Sequence, residues 1–102
     1  MFALLEQARG RLAQACARHG VRRLAVFGSA LREDYAPGVS DVDLLVEFDA
    51  MDPYARVDAY FGLLDDLREI LGARVDLVMV GAVKNRFIAA DIERTKQEIY
   101  AA

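Results

Sequence analysis

Val26-Phe27-Gly28-Ser29, then eleven residues, then Asp41-Val42-Asp43-Leu44-Leu45-Val46-Glu47-Phe48: the reading of this stretch decides the fold. The first segment closes an apolar run on glycine and serine, as a strand does where it enters a turn. The second opens on two acids and continues apolar. Side chains alternate along a strand, so Asp41 and Asp43 share one face while Val42, Leu44, Val46 and Phe48 line the other. One strand thus offers a core to one side and a carboxylate pair to the other.

Two neighbouring carboxylates repel each other, and a hard divalent cation relieves that repulsion. Magnesium is commonly held by one or two carboxylates together with substrate phosphates. Gly28 lets the chain approach a phosphate with no Cβ in the way, and Ser29 offers a hydroxyl and a backbone N–H. A short helix starting near Ala30 would add its N-terminal N–H groups to an anion site. Further along, Leu71-Gly72-Ala73-Arg74-Val75-Asp76-Leu77-Val78-Met79-Val80 reads as a helix end, a turn and another apolar strand with an acid near its start. A charge in such a strand is unfavourable unless paired or coordinated. If this strand lies beside the Asp-x-Asp strand, Asp76 reaches the same cluster as metal ligand, general base, or both.

Gly-Ser, a spacer, Asp-x-Asp and a later strand Asp together resemble the DNA-polymerase-β-type nucleotidyltransferase superfamily, above all its minimal branch, the MNT domains paired with HEPN toxins. The likeness runs from Val26-Phe27-Gly28-Ser29 through Ser40 to Phe48 and Arg74 to Val78. It continues into a C-terminal region from Lys84-Asn85-Arg86-Phe87-Ile88 to Ile99-Tyr100-Ala101-Ala102. It implies a polymerase-β palm-like α/β fold, a small mixed sheet with helices packed on one face. It also implies AMP transfer from ATP, with magnesium on Asp41 and Asp43, Asp76 as third acid, and Gly28 and Ser29 at the triphosphate. The acceptor implied is a tyrosine of a HEPN toxin, whose ribonuclease activity is thereby silenced, in a hetero-oligomer with that toxin. One departure stands out: the family spacer is usually ten residues, and Ala30 to Ser40 is eleven, with Pro37-Gly38 inside it. A surface loop absorbs one extra residue readily.

Composition agrees with this reading. A chain of 102 residues fits a single domain, 1–102, with one core and no separate substrate domain. The 55% hydrophobic content excludes disorder. A net charge of −3 argues against nucleic acid as the main ligand, which needs a clustered basic surface. The one adjacent basic pair, Arg22-Arg23, reads as a solvated strand start. Cys16 is the single cysteine, so no internal disulfide forms, and it sits among alanines as an inert helix-face residue. Glu6 interrupts the N-terminal apolar run too early for a secretory signal, and no run reaches the ~20 residues of a membrane span. The expected compartment is the cytoplasm.

The expected elements are a helix over 2–19 stopped by Gly20, a strand over about 23–27, and a strand over about 41–48. Asp52-Pro53 opens a helix reaching Leu71, with Gly72 as its cap, and a strand over about 74–78 and a helix over about 83–100 follow. The sheet expected from these is three-stranded and mixed, with its acid-bearing end open.

Other candidates are set aside. Glu47 shares a face with Asp43 but stands ~13 Å along the strand. Asp65 and Asp66 read as a solvated helix face beside Leu63, Leu64 and Leu67, and His19 as a helix-end residue favourable to the dipole. HEPN toxins carry an Arg followed four to six residues later by His, and neither Arg11 nor Arg18 stands at that distance from His19. The chain therefore reads as the transferase half of such a pair. Phe87, Ile88, Ile92, Ile99 and Tyr100 form an apolar stripe on the last helix that serves either the core or a partner. Arg32, or one of the basic residues Arg86, Arg94 and Lys96 nearby, is a candidate phosphate contact. Two rival functions remain open: a non-catalytic antitoxin that masks its toxin, and a small-molecule nucleotidyltransferase.

Overall fold

The computed structural model describes residues 2–31 and 41–102, without the side chains of Phe2, Ser29 and Ala30. Leu5, Ala8, Leu12, Ala15 and Cys16, the positions that suggested an N-terminal helix, are all buried. The helix comes as two pieces, α1 (Phe2–Gln7) and α2 (Arg9–Arg18), with Ala8 at φ −91°, ψ 1° between them. Gly10, a weak helix former, stands just beyond the break. The buried face carries across it, because Ala8 N–H still donates to Leu4 O at 3.0 Å and Leu12 N–H to Ala8 O at 2.8 Å.

After α2 come β1 (Val21–Phe27), a single 3-10 turn over Gly28–Leu31, and β2 (Val42–Phe48). Next are α3 (Pro53–Leu71) and β3 (Val75–Met79). The caps read from the sequence hold α3 at both ends. The Asp52 side chain accepts from Ala55 N–H at 3.0 Å with Pro53 in the first turn, and Gly72 closes the helix at φ +58°, its N–H bonded to Arg68 O. Because α3 crosses over the sheet, β3 returns parallel to β2. Tyr60 O–H donates to Leu77 O at 2.6 Å and ties that crossover to the strand beneath it.

The C-terminal region differs from expectation. The helix expected over 83–100 stops at Thr95 as α4 (Arg86–Thr95), and Gln97–Ala101 forms β4, antiparallel to β1. The sheet is therefore four-stranded, in the order β3-β2-β1-β4, rather than three-stranded. Lys96 turns extended at ψ 151°. Beyond it, Ile99 and Tyr100 suit a pleated surface, and pairing covers backbone groups of β1 that would otherwise face outward.

The main core lies between α1, α2 and α3 and one sheet face, where Leu24, Val26, Val42, Leu44 and Val46 meet Leu12, Cys16, Leu63 and Leu67. The mixed α/β architecture is the one expected, and these three helices share one face as expected. α4 stands against the opposite face, where its Ile92 packs with Ala25 and Leu45. That contact covers the middle of the acid-bearing face and leaves Asp41 and Asp76 exposed at its end.

Candidate active site

The strand registers place the predicted acids. Phe27 pairs with Asp43 across the antiparallel β1–β2 ladder, and Asp43 pairs with Asp76 across the parallel β2–β3 ladder. Phe27, Asp43 and Asp76 thus form one row across three strands, at the end of β1 where the chain turns at Gly28. Adjacent strands lie ~4.8 Å apart, so the two carboxylates are immediate neighbours of like charge. Asp43 is half-buried and Asp76 exposed.

Gly28 has a tighter role than the sequence suggested. Its φ is +68°, and a Cβ built there would stand 2.4 Å from Asp43 Oδ2 and 3.2 Å from its Cγ. The glycine admits the Asp43 carboxylate against the backbone of the turn, besides leaving that backbone open to a phosphate. The helix imagined near Ala30 is only the four-residue 3-10 turn. The Ser29 side chain, Arg32 and most of the eleven-residue spacer, Pro37-Gly38 included, lie outside the described residues.

Asp41 lies just before β2, on the same face as Asp43 by strand alternation. Its Oδ1 is 3.0 Å from Arg74 Nε, and both side chains are half or more exposed, at 50% and 63%. Among the described residues no three acids, histidines or cysteines are placed to hold a metal ion as they stand. The donor set still suits magnesium: hard carboxylate oxygens, two of them in register, one fitted against a cradle that a Cβ would fill.

Arg74 went unnoticed in the sequence, although its spacing, two residues before Asp76, puts it on the acid face. Beside it opens a concavity of about 650 Å³ lined by Asp41, Arg68, Gly72, Ala73, Arg74 and Val75. A volume of that order falls within the ~300–1,000 Å³ of small-ligand sites.

The remaining candidates fall elsewhere. Asp65 is exposed as expected, but Asp66 is not merely solvated. It accepts from Arg18 at 3.1 Å and meets His19 Nε2 at 2.7 Å, joining the end of α2 to α3. The His19 ring fits against Gly62, where a Cβ would come within 2.6 Å of Cε1. Of the C-terminal apolar stripe, only Ile92 is buried against the sheet; Phe87 and Ile88 are exposed, and Ile99 and Tyr100 belong to β4. Arg86 lies over the Phe87 ring, Arg94 pairs with Asp91 and Lys96 with Glu93. Cys16 is fully buried, and burial pushes its thiol up to about 12.

A palm-like sheet with acids in register on two adjacent parallel strands, a glycine turn against one of them and an open concavity beside them defines a nucleotide-transferring fold. Residues 9–100 match the nucleotidyltransferase domain family. A candidate protein adenylyltransferase of Methanocaldococcus jannaschii is 41% identical over 76 residues, 74% of each chain. The solved structure of a candidate minimal nucleotidyltransferase superposes with a TM-score of 0.70 at 34% identity, over 91% of this chain and 93% of that one. A structure of tri-AMPylated Shewanella oneidensis HEPN toxin in complex with MNT antitoxin gives 0.61 at 18% identity, over 96% of this chain and 73% of that one. The chain belongs to the nucleotidyltransferase domain family, and its enzyme class is nucleotidyltransferase.

Proposed function

We propose that this chain is an antitoxin-type protein adenylyltransferase, moving AMP from ATP to a tyrosine hydroxyl of a HEPN toxin ribonuclease and so neutralising it. The observation that carries the reading is the row Asp43–Asp76 with Gly28 closed against Asp43. The name of the Methanocaldococcus relative supports transfer to a protein, and the AMPylated toxin bound to an MNT antitoxin supports the partner class.

In this reading Asp41, Asp43 and Asp76 hold magnesium, two ions by the family pattern, and Gly28 and Ser29 meet the triphosphate. Magnesium there offsets the charge of the triphosphate and of the departing pyrophosphate. The sheet face aligns the toxin hydroxyl with the α-phosphorus. The new bond joins that oxygen to phosphorus, the α–β phosphoanhydride breaks, and pyrophosphate leaves with the bridging oxygen. The hydroxyl proton passes to a carboxylate, for which Asp76, the exposed member of the row, is the candidate base. Positioning supplies much of the rate, since an aligned hydroxyl need not be recruited from solution. The whole chain 1–102 acts as one unit in the cytoplasm; among the described residues no helix is long and apolar enough to cross a membrane.

The test is the intact mass of the HEPN partner after incubation with this chain, magnesium and ATP, beside an Asp41→Ala, Asp43→Ala double variant. A gain of one or more AMP units with the unaltered chain alone supports the proposal. No gain, with the partner silenced by both proteins, makes the chain a masking antitoxin. Consumption of ATP onto a small acceptor with no partner present makes it a small-molecule enzyme.

A further inference from the structure

We propose that Arg74 is a positioning residue of this site: its guanidinium competes with the divalent ion for Asp41 and, once displaced, turns to the triphosphate. The proposal rests on the reading of the acid row as a metal and nucleotide site.

The strand register sets the pair up. Val42 and Val75 are partners in the parallel ladder, so residues 41 and 74 stand side by side one step earlier, on the face that carries Asp43 and Asp76. Val42 N–H donates to Arg74 O at 2.9 Å, which fixes the two backbones together at the mouth of the site. The side chains then meet, Arg74 Nε to Asp41 Oδ1, at 3.0 Å. An ion pair this exposed contributes little to stability, so fold maintenance does not account for its place beside the acid row.

The surroundings supply the second half of the argument. The concavity next to Asp41 receives both Arg74 and Arg68 among its lining residues. Arg68 also answers the carbonyl end of α3, where it lies in the last turn. Arg74 has no such duty, standing before β3 and beyond the helix. A cation site and an anion site are thus adjacent, as a metal-chelated polyphosphate requires. A guanidinium stays charged at any working pH, and its planar fork suits phosphate oxygens as well as carboxylates. The electrostatics then give opposite signs. With the ion alone, Arg74 is a competitor: it occupies Asp41 and repels a second cation. With metal and nucleotide together, it is an ally, bringing positive charge to the phosphates.

The test uses the full chain and measures binding rather than turnover. Mn²⁺ affinity is read by the electron paramagnetic resonance of the free ion, alone and with a non-hydrolysable ATP analogue, for the unaltered protein, Arg74→Ala and Arg74→Lys. Arg74→Ala should bind Mn²⁺ alone at least threefold more tightly and the nucleotide, with Mn²⁺ present, at least tenfold more weakly. Arg74→Lys, a charge without the fork, should leave Mn²⁺ binding near the unaltered value and still weaken the nucleotide. Thermal melting checks that each variant is folded; should the alanine variant fail to fold, the lysine variant decides by its nucleotide affinity. Shifts of the same sign in both affinities, or an unchanged nucleotide affinity, overturn the proposal. If the unaltered protein binds neither Mn²⁺ nor nucleotide, the site reading fails as well and takes the role of Arg74 with it.

Discussion

The two faces of β2 divide the work of the molecule between them. On one, Val42, Leu44 and Val46 are wholly buried beneath α2 and α3. On the other, Asp43 stands in the acid row, Leu45 lies under Ile92 of α4, and Glu47 reaches the far end of the strand. Alternation along the strand is what lets adjacent residues serve such different ends. A residue of the first face is judged by how well it packs, and one of the second by what it presents to solvent. Substitutions at neighbouring positions should therefore fail in different ways.

The largest effect is expected on the buried face. Leu44→Ala removes a fully enclosed side chain and should cost about 2–5 kcal/mol, read from urea unfolding, with activity falling only as the folded fraction falls. One residue earlier, Asp43→Asn should leave the unfolding midpoint close to that of the unaltered chain. It should cut AMP transfer on the order of a hundredfold or more, as loss of a single stabiliser of developing charge does. If Asp43→Asn unfolds the protein while transfer per folded molecule persists, the division between the faces is wrong.

A smaller effect sharpens the boundary between them. Gly28→Ala should lose about 1–2 kcal/mol for a side chain at positive φ. Its Cβ must also displace the Asp43 carboxylate, which a glycine admits at 2.4 Å from that position. Stability and transfer should thus drop together, unlike at Leu44 or Asp43. Smallest is the effect at Cys16, on the buried side. Burial raises its thiol from 9.0 to about 12, so folding favours the neutral form; the stability this contributes is intact below pH 9 and declines as pH rises toward 12. The thiol should resist a disulfide reagent at pH 8 in the folded protein and react at once in urea.

How much of this was legible in the sequence follows from what each feature depends on. The caps Asp52-Pro53 and Gly72 are local, and α3 spans the residues they frame. The facing of Asp43 away from Val42 and Leu44 needs only strand alternation, and it holds. β4 depends on a distant partner: Gln97-Glu98-Ile99-Tyr100 continues the apolar spacing of α4, and only the edge of β1 makes it a strand. Arg74 beside Asp41 depends on the β2–β3 register, which no single segment contains. Asp66 looked like half of a surface acidic pair because its partners Arg18 and His19 lie in another helix. The resemblance supplied the strand neighbourhood that periodicity could not, and with it the expectation that Asp76 joins Asp43.

The central claim is that the exposed end of the acid face holds a metal and a nucleotide. The measurement that tests it most directly is a crystal structure of the chain grown with Mn²⁺ and a non-hydrolysable ATP analogue, with an anomalous difference map. The account predicts a manganese peak within coordination distance of Asp43 and at least one of Asp41 and Asp76, with the triphosphate against Gly28. Well-ordered nucleotide elsewhere, or a map without manganese at the acid row, would contradict it.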